Sequence, residues 1–230
     1  MQQKKWIGVL AIVVTTTIPS AFALTPYYVG ADAQMRRMDF KGGFGDNLLQ
    51  HNSPQGNIYA GYKFNEMVGI EAGFEATTTR TRTVTLTTGD VVNGTMLPSA
   101  ASPAVFKSKA KIKGPHVEAV GYYSFHEAFP IQLIGSAGVS VFKATAERRT
   151  ISMAGFPSAT NRTLVQHKTV LRLTGGLQYT LDENWFARLT VGWVNTSKMT
   201  IYAKDNITIS TPETKPKNST VYGLGMGWKF

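Results

Sequence analysis

The sequence holds no cysteine, which removes disulfide frameworks, thiolate metal sites and cysteine nucleophiles together. Acidic side chains are also scarce: 14 Asp and Glu stand against 24 Lys and Arg, for a formal charge of +10. A basic field attracts phosphates whatever carries them, so the placement of the charge has to decide between nucleic acid and an anionic membrane. After residue 23 no apolar run approaches the ~20 residues of a membrane-spanning helix. The mature chain therefore either stays in water or crosses a membrane as a closed sheet, the other arrangement that satisfies every backbone group.

The missing long run is preceded by a short one. "MQQKK" is a positive start, "WIGVLAIVV" is apolar, and "AFA" offers the small residues read by a signal peptidase. Residues 1–23 are expected to be a signal peptide cleaved after Ala23, and residues 24–230 the mature domain. Cleavage takes Lys4 and Lys5 away and lowers the formal charge from +10 to +8.

What is abundant is alternation. "VGIEAGFEAT" sets Val68, Ile70, Ala72, Phe74 and Ala76 against Gly69, Glu71, Gly73, Glu75 and Thr77, which is the period of a strand with one apolar face. The same sorting recurs at 57–64, 131–142, 169–181, 185–195 and 219–230, and more loosely at 27–35 and 109–125. In the last of these, Gly114 and Pro115 suggest a bulge or a change of phase. Eight strands result. Short links at 65–67, 126–130 and 182–184 alternate with long polar ones at 39–56, 84–107, 147–167 and about 198–218. Every short turn thus falls at one end and every long loop at the other, the layout of outer-membrane barrels.

A soluble β-sandwich or lipocalin-type barrel would alternate too. Three features favour the membrane. The face opposite the apolar one mixes glycine with charge and amide, as in Gly30, Asp32 and Gln34 or Arg172, Thr174, Gly176 and Gln178, which suits a narrow polar lumen. Aromatics gather at strand ends: Tyr27, Phe64, Tyr122, Phe125, Tyr179, Trp185, Trp228 and Phe230 at one end, Phe142, Trp193 and Tyr222 at the other, as two interfacial girdles would. Finally "VYGLGMGWKF" can close on "YYVGADAQM" and leave no edge, with Tyr222, Trp228 and Phe230 toward lipid. The expected fold is an all-β, eight-stranded antiparallel transmembrane β-barrel in the bacterial outer membrane, a monomer with its termini in the periplasm.

"QGNIYAGYKFNEMVGIEAGFEATTTR" resembles the second and third strands of the OmpA transmembrane-domain family of small outer-membrane barrels, and "GGLQYTLDENWFARLTVGWVN" resembles the sixth and seventh. The resemblance covers the strands and not the long loops. It implies that Glu71 is the family's interior glutamate and Arg188 its gating arginine, and both have inward parity in the strand reading above. A carboxylate and a guanidinium in a lumen of low dielectric have to pair. Other interior charges of the family are altered: Gln178 stands for a glutamate, Ala119 aligns with a lysine and Asp32 replaces a lysine. The terminal aromatics also resemble the signal by which barrel assembly machinery recognises its clients. The family's soluble peptidoglycan-binding domain has no counterpart in this sequence.

No catalytic constellation is expected. His126 falls in a short turn, His116 beside Pro115, and His51 and His167 in outer loops, where Asp46 or Glu147 would be the available acids. Neither metal-ligand spacing nor a phosphate-cradling glycine motif occurs, so the reading implies no cofactor and no enzyme. Positive charge concentrates instead at the root of the second long loop, in Arg80, Arg82, Lys107, Lys109 and Lys111, where outer-leaflet phosphates would attract it. Expected partners are outer-membrane lipid, lipopolysaccharide, the assembly machinery and host surface molecules, and not nucleic acid. The expected role is structural or surface-interacting. The rival is a narrow pore for small solutes or ions, gated by Glu71 and Arg188.

Overall fold

In a computed structural model the chain closes into a single antiparallel barrel. The structure describes residues 26–41, 51–89, 91–92, 95–96, 103–125, 130–153, 161–196 and 215–230, so residues 1–23, expected to be a signal peptide, lie outside the described residues, as do Asp46 and His126. The strands are β1 (Tyr27–Lys41), β2 (Asn52–Lys63), β3 (Val68–Thr77), β4 (Arg80–Leu86), the two-residue β5 (Val91–Val92) and β6 (Thr95–Met96), β7 (Ala104–Ser124), β8 (Ile131–Met153), β9 (Asn161–Thr180), β10 (Trp185–Val194) and β11 (Lys215–Lys229). Among the described residues β5 and β6 pair only with each other.

Neighbours run β3-β2-β1-β11-β10-β9-β8-β7, and β7 returns to pair with β3. The first and last strands meet as the sequence suggests, with Gly30 opposite Gly227 and Met35 opposite Tyr222. β4 continues β3 along β7, so the two form one barrel strand and the wall has eight. Ala76 faces Lys113 and Arg80 faces Ala110, so one extra residue is accommodated at Thr78–Thr79. That is a bulge, and it exchanges the inward and outward sets between β3 and β4.

The alternation does what a membrane requires. Val29, Ile58, Phe74, Val139, Leu171, Leu189, Leu224 and Met226 are exposed around the outside, while Gln34, Arg36, Glu71, Glu75, Glu118, Arg172 and Arg188 are buried within. A soluble barrel would reverse these sets. Tyr222, Trp228 and Phe230 are all exposed, and Trp228 stands opposite Trp185 and stacks on Phe230 at 5.2 Å between ring centroids. Two aromatics expected in the girdles are instead inside. Tyr122 shares its face with Val120 and Glu118, and Phe142 with Ser140 and Ala144, so parity carries both rings into the lumen.

Two other expectations change. Lys113 pairs with Lys143 and His116 with Ser140 in one unbroken register, so Gly114 and Pro115 cause no change of phase. Glycine is needed there because a Cβ on Gly114 would strike the Val141 carbonyl. Much of the expected long loops is strand as well. β7, β8 and β9 have 21, 23 and 20 residues, whereas a tilted strand crosses the bilayer in ~9–11. Segments such as "TRTVTL" and "ATAERRTISM" are rich in β-branched residues and find partners beyond the membrane, which extends the sheet on the long-loop side.

Candidate functional site

Among the described residues, three glutamates and three arginines buried inside the barrel are arranged in two layers. The layer nearer the short turns is centred on Arg188, the fourth residue of β10, and Glu71, the fourth of β3. Arg188 Nη1 lies 2.6 Å from Glu71 Oε1, and its Nε donates to Gln178 Oε1 at 2.9 Å. The Tyr28 hydroxyl donates to the same Glu71 oxygen at 2.7 Å and lies 2.6 Å from the Tyr122 hydroxyl. The rings of Tyr28, Tyr59 and Phe186 surround the guanidinium, with centroids 5.3, 5.0 and 4.9 Å from its carbon. Strand glycines make room for these rings: a Cβ on Gly61 would collide with Tyr28, one on Gly30 with Tyr59, and one on Gly227 with Phe186. Cation–π attraction and a salt bridge thus hold Arg188 together.

The second layer lies toward the long loops. Arg36 Nη2 donates to Glu75 Oε1 at 3.0 Å and its Nε to Gln55 Oε1 at 2.8 Å, while its guanidinium covers the Phe142 ring at 4.8 Å. Gln55 Nε2 donates to Glu75 Oε2 at 3.0 Å and also to Gln34 Oε1. Arg172 links Glu75, 3.4 Å from Nη1, with Glu118, 2.6 Å from Nε. Glu118 also accepts from Ser136 and lies 3.1 Å from His116 Nδ1. The other imidazole nitrogen of His116 meets Asn57 Oδ1 at 2.9 Å, and Asn57 Nδ2 donates to Asp32 Oδ2, likewise at 2.9 Å. Each buried arginine has its own carboxylate, which offsets the cost of removing both charges from water.

Between the layers remains a cavity of about 30 Å³, bordered by Asp32, Glu71, Glu118, Ser136, Arg172 and Arg188. That is room for about two water molecules, since one needs ~10–15 Å³ on this measure. Asp32 Oδ1 and Arg188 Nη2 have no protein partner, and a water there would satisfy an acceptor and a donor together.

All six lumen positions named from the sequence, Asp32, Glu71, Glu75, Arg172, Gln178 and Arg188, are brought into this network. Arg36, Gln55, Asn57, His116, Glu118 and Ser136 were missed. Arg36 and Gln55 fell beyond the assigned ends of their strands, and an assumed break at Pro115 hid the run His116, Glu118, Val120 and Tyr122, all buried on one face. Ala119, aligned above with an interior lysine, points outward. The basic residues do not share one surface. Lys107, Lys109 and Lys111 lie on the outward face of β7, whereas Arg82, opposite Ser108, is on the other face of the sheet; Arg80 stands opposite Ala110 in the ladder, and its side chain lies outside the described residues. Of the remaining histidines, His51 Nδ1 is 3.3 Å from Asp39 Oδ1 and His167 is exposed on β9.

A family model for the outer membrane protein β-barrel domain matches residues 7–230. The chain belongs to this family. As a member of the outer membrane β-barrel family it is an outer membrane protein, and its apolar band is the lipid-facing surface. No curated protein sequence matches it. Among solved structures of similar fold is the outer membrane protein OprG of Pseudomonas aeruginosa, with 16% identity, 89% of this chain and 96% of that chain covered, and a TM-score of 0.50. Ail, the attachment invasion locus protein of Yersinia pestis, crystallised with the heparin analogue sucrose octasulfate, has 15% identity, covers 90% and 100%, and scores 0.47. Neisserial surface protein A has 15% identity, covers 89% and 97%, and also scores 0.47.

Proposed function

We propose that this family member resembles the OmpA transmembrane domain in being a closed barrel whose work is done at its outer surface: it supports the envelope and presents a basic sheet to lipopolysaccharide or to host molecules. The observation that carries this reading is the filled lumen. Two ion-paired layers leave about 30 Å³ between them, too little for a solute larger than water. The same pairing supports the absence of catalysis, since among the described residues Arg36, Arg172, Arg188, Glu71, Glu75 and Glu118 are all committed to ion pairs with one another. The surface side of the reading rests on β7, β8 and β9, which rise far beyond bilayer thickness and carry Lys107, Lys109, Lys111, Lys113 and Lys143 outward.

A narrow pore is the second reading. In its favour, the Arg188 Nη2 group borders the cavity without a protein partner, so the Glu71 contact has an adjacent space to swing into. Planar-bilayer recording separates the two. Under the closed-barrel reading the unmodified protein is silent, and Arg188→Ala alone stays silent because Arg36, Glu75, Arg172 and Glu118 still fill the second layer. Adding Arg172→Ala to it opens discrete steps. Steady steps from the unmodified protein would overturn the proposal, and steps from Arg188→Ala alone would favour a pore gated at Glu71.

A further inference from the structure

Above the apolar band, one row across three strands brings basic side chains together. Lys113 on β7 is directly opposite Lys143 on β8, and Lys143 is directly opposite His167 on β9. All three side chains are exposed on the outward face, as is Lys111 one step higher on β7. Facing like charges destabilise a sheet unless an anion lies between them. None of the described residues in that row supplies one. The row's neighbour on β3 is Ala76, and the described outward carboxylate on β7–β9 is Glu147, opposite Lys109 and two steps above Lys143.

The row's height is the second observation. One step below Lys143 comes exposed Val141, and below it Val139; opposite Val139 are Val117 and Leu171, all facing lipid. A step of two residues is about 7 Å along a strand, so the lysines stand just outside the hydrocarbon, at the level of lipid headgroups. Ammonium groups at that level hold phosphate oxygens by charge-assisted hydrogen bonds, and a phosphate between Lys113 and Lys143 would turn their repulsion into attraction.

We propose that Lys113 and Lys143, flanked by Lys111 and His167, form a binding site on the barrel wall for the phosphate of an outer-leaflet lipid. The proposal rests on the outer-surface reading above and moves the lipid contact from the loops to the strand wall. The occupant is a lipid because the row adjoins the lipid-facing band and faces sideways along the membrane, where a soluble polyanion would meet it only at its edge.

The test uses the full barrel refolded in phosphatidylcholine vesicles, with and without bisphosphorylated lipid A, and reads the thermal midpoint of the folded band on gels. Lipid A should raise the midpoint of the unmodified protein by about 3–6 °C, the shift that free lipid at roughly tenfold its dissociation constant gives a domain of this size. Lys113→Gln/Lys143→Gln should lose that shift while being at least as stable as the unmodified protein in phosphatidylcholine alone, because its repulsion is gone. If the double variant fails to fold, Lys143→Gln carries the same prediction with a smaller shift. Arg37→Gln, an exposed cation on β1 and away from the β7–β9 row, should keep it. An unchanged response to lipid A in the double variant would overturn the site. So would stabilisation of the unmodified protein by a soluble sulfated polysaccharide but not by lipid A. Neither outcome touches the closed lumen, which the bilayer recordings test separately.

Discussion

Glu75→Gln preserves the shape of a residue that is 1% exposed and removes one charge from the centre of the second layer. Glu75 is the carboxylate that faces Arg36; the other polar contacts of that guanidinium are Gln55 at 2.8 Å and the Ser219 hydroxyl at 3.4 Å. Arg172 is less affected, since Glu118 remains 2.6 Å away. The amide cannot imitate the carboxylate. One oxygen of Glu75 receives Arg36 and the other receives Gln55 Nε2, so whichever way a glutamine turns, its NH2 group meets a donor. Breaking one side of a buried pair costs about 3–5 kcal/mol. For a chain of this length that lowers the thermal midpoint by roughly 6–20 °C. The measurement is the conversion of folded to unfolded band on heating in vesicles, repeated by urea titration. Asp39→Asn is the reference, because the Arg37–Asp39 pair is 3.9 Å apart and largely exposed, and its loss should cost less than about 1 kcal/mol. Glu75→Gln/Arg36→Met should recover much of the loss by replacing a broken ion pair with apolar contact against Phe142. A Glu75→Gln variant within about 1 kcal/mol of the unmodified protein would refute the claim that these charges depend on one another.

Gly61→Ala should push the Tyr28 ring off Glu71 and cost about 1–3 kcal/mol by overpacking, whereas Gly56→Ala, which meets open space, should change stability by less than ~0.5 kcal/mol; equal effects in urea titrations would count against the ring-over-glycine packing. Single-tryptophan variants keeping Trp193 or Trp228 should be quenched more by lipids brominated near the headgroup than by lipids brominated near the chain ends, because the two sit at opposite ends of the lipid-facing band. Deeper quenching of either would displace the proposed interfaces.

Much of the wall was legible in the sequence because a strand's period is two residues, and a bilayer outside with a polar lumen inside demands strict sorting. The family resemblance named Glu71 and Arg188 together, and parity agreed that both point inward, since each shares a face with small or polar residues, Gly69 and Gly73 in one case and Thr190 and Gly192 in the other. Arg36, His116 and Glu118 obey the same rule. They were lost where strand ends and the effect of Pro115 had to be guessed, and a proline disturbs a ladder hydrogen bond without shifting the alternation of its neighbours.

By itself, the sequence determined the class of fold, the number of crossings, the seam between first and last strands and the inward set of most charges, since all of these follow from local alternation and from the lengths of the intervening links. Only the tertiary structure decided how those charges combine. Glu75 shares its carboxylate between arginines from β1 and β9, Arg188 sits among rings seated over glycines of β1, β2 and β11, and Lys113 meets Lys143 and His167 in one row. Parity says which way a side chain points, but register around a closed sheet says what it touches, and register is set by all the strands together.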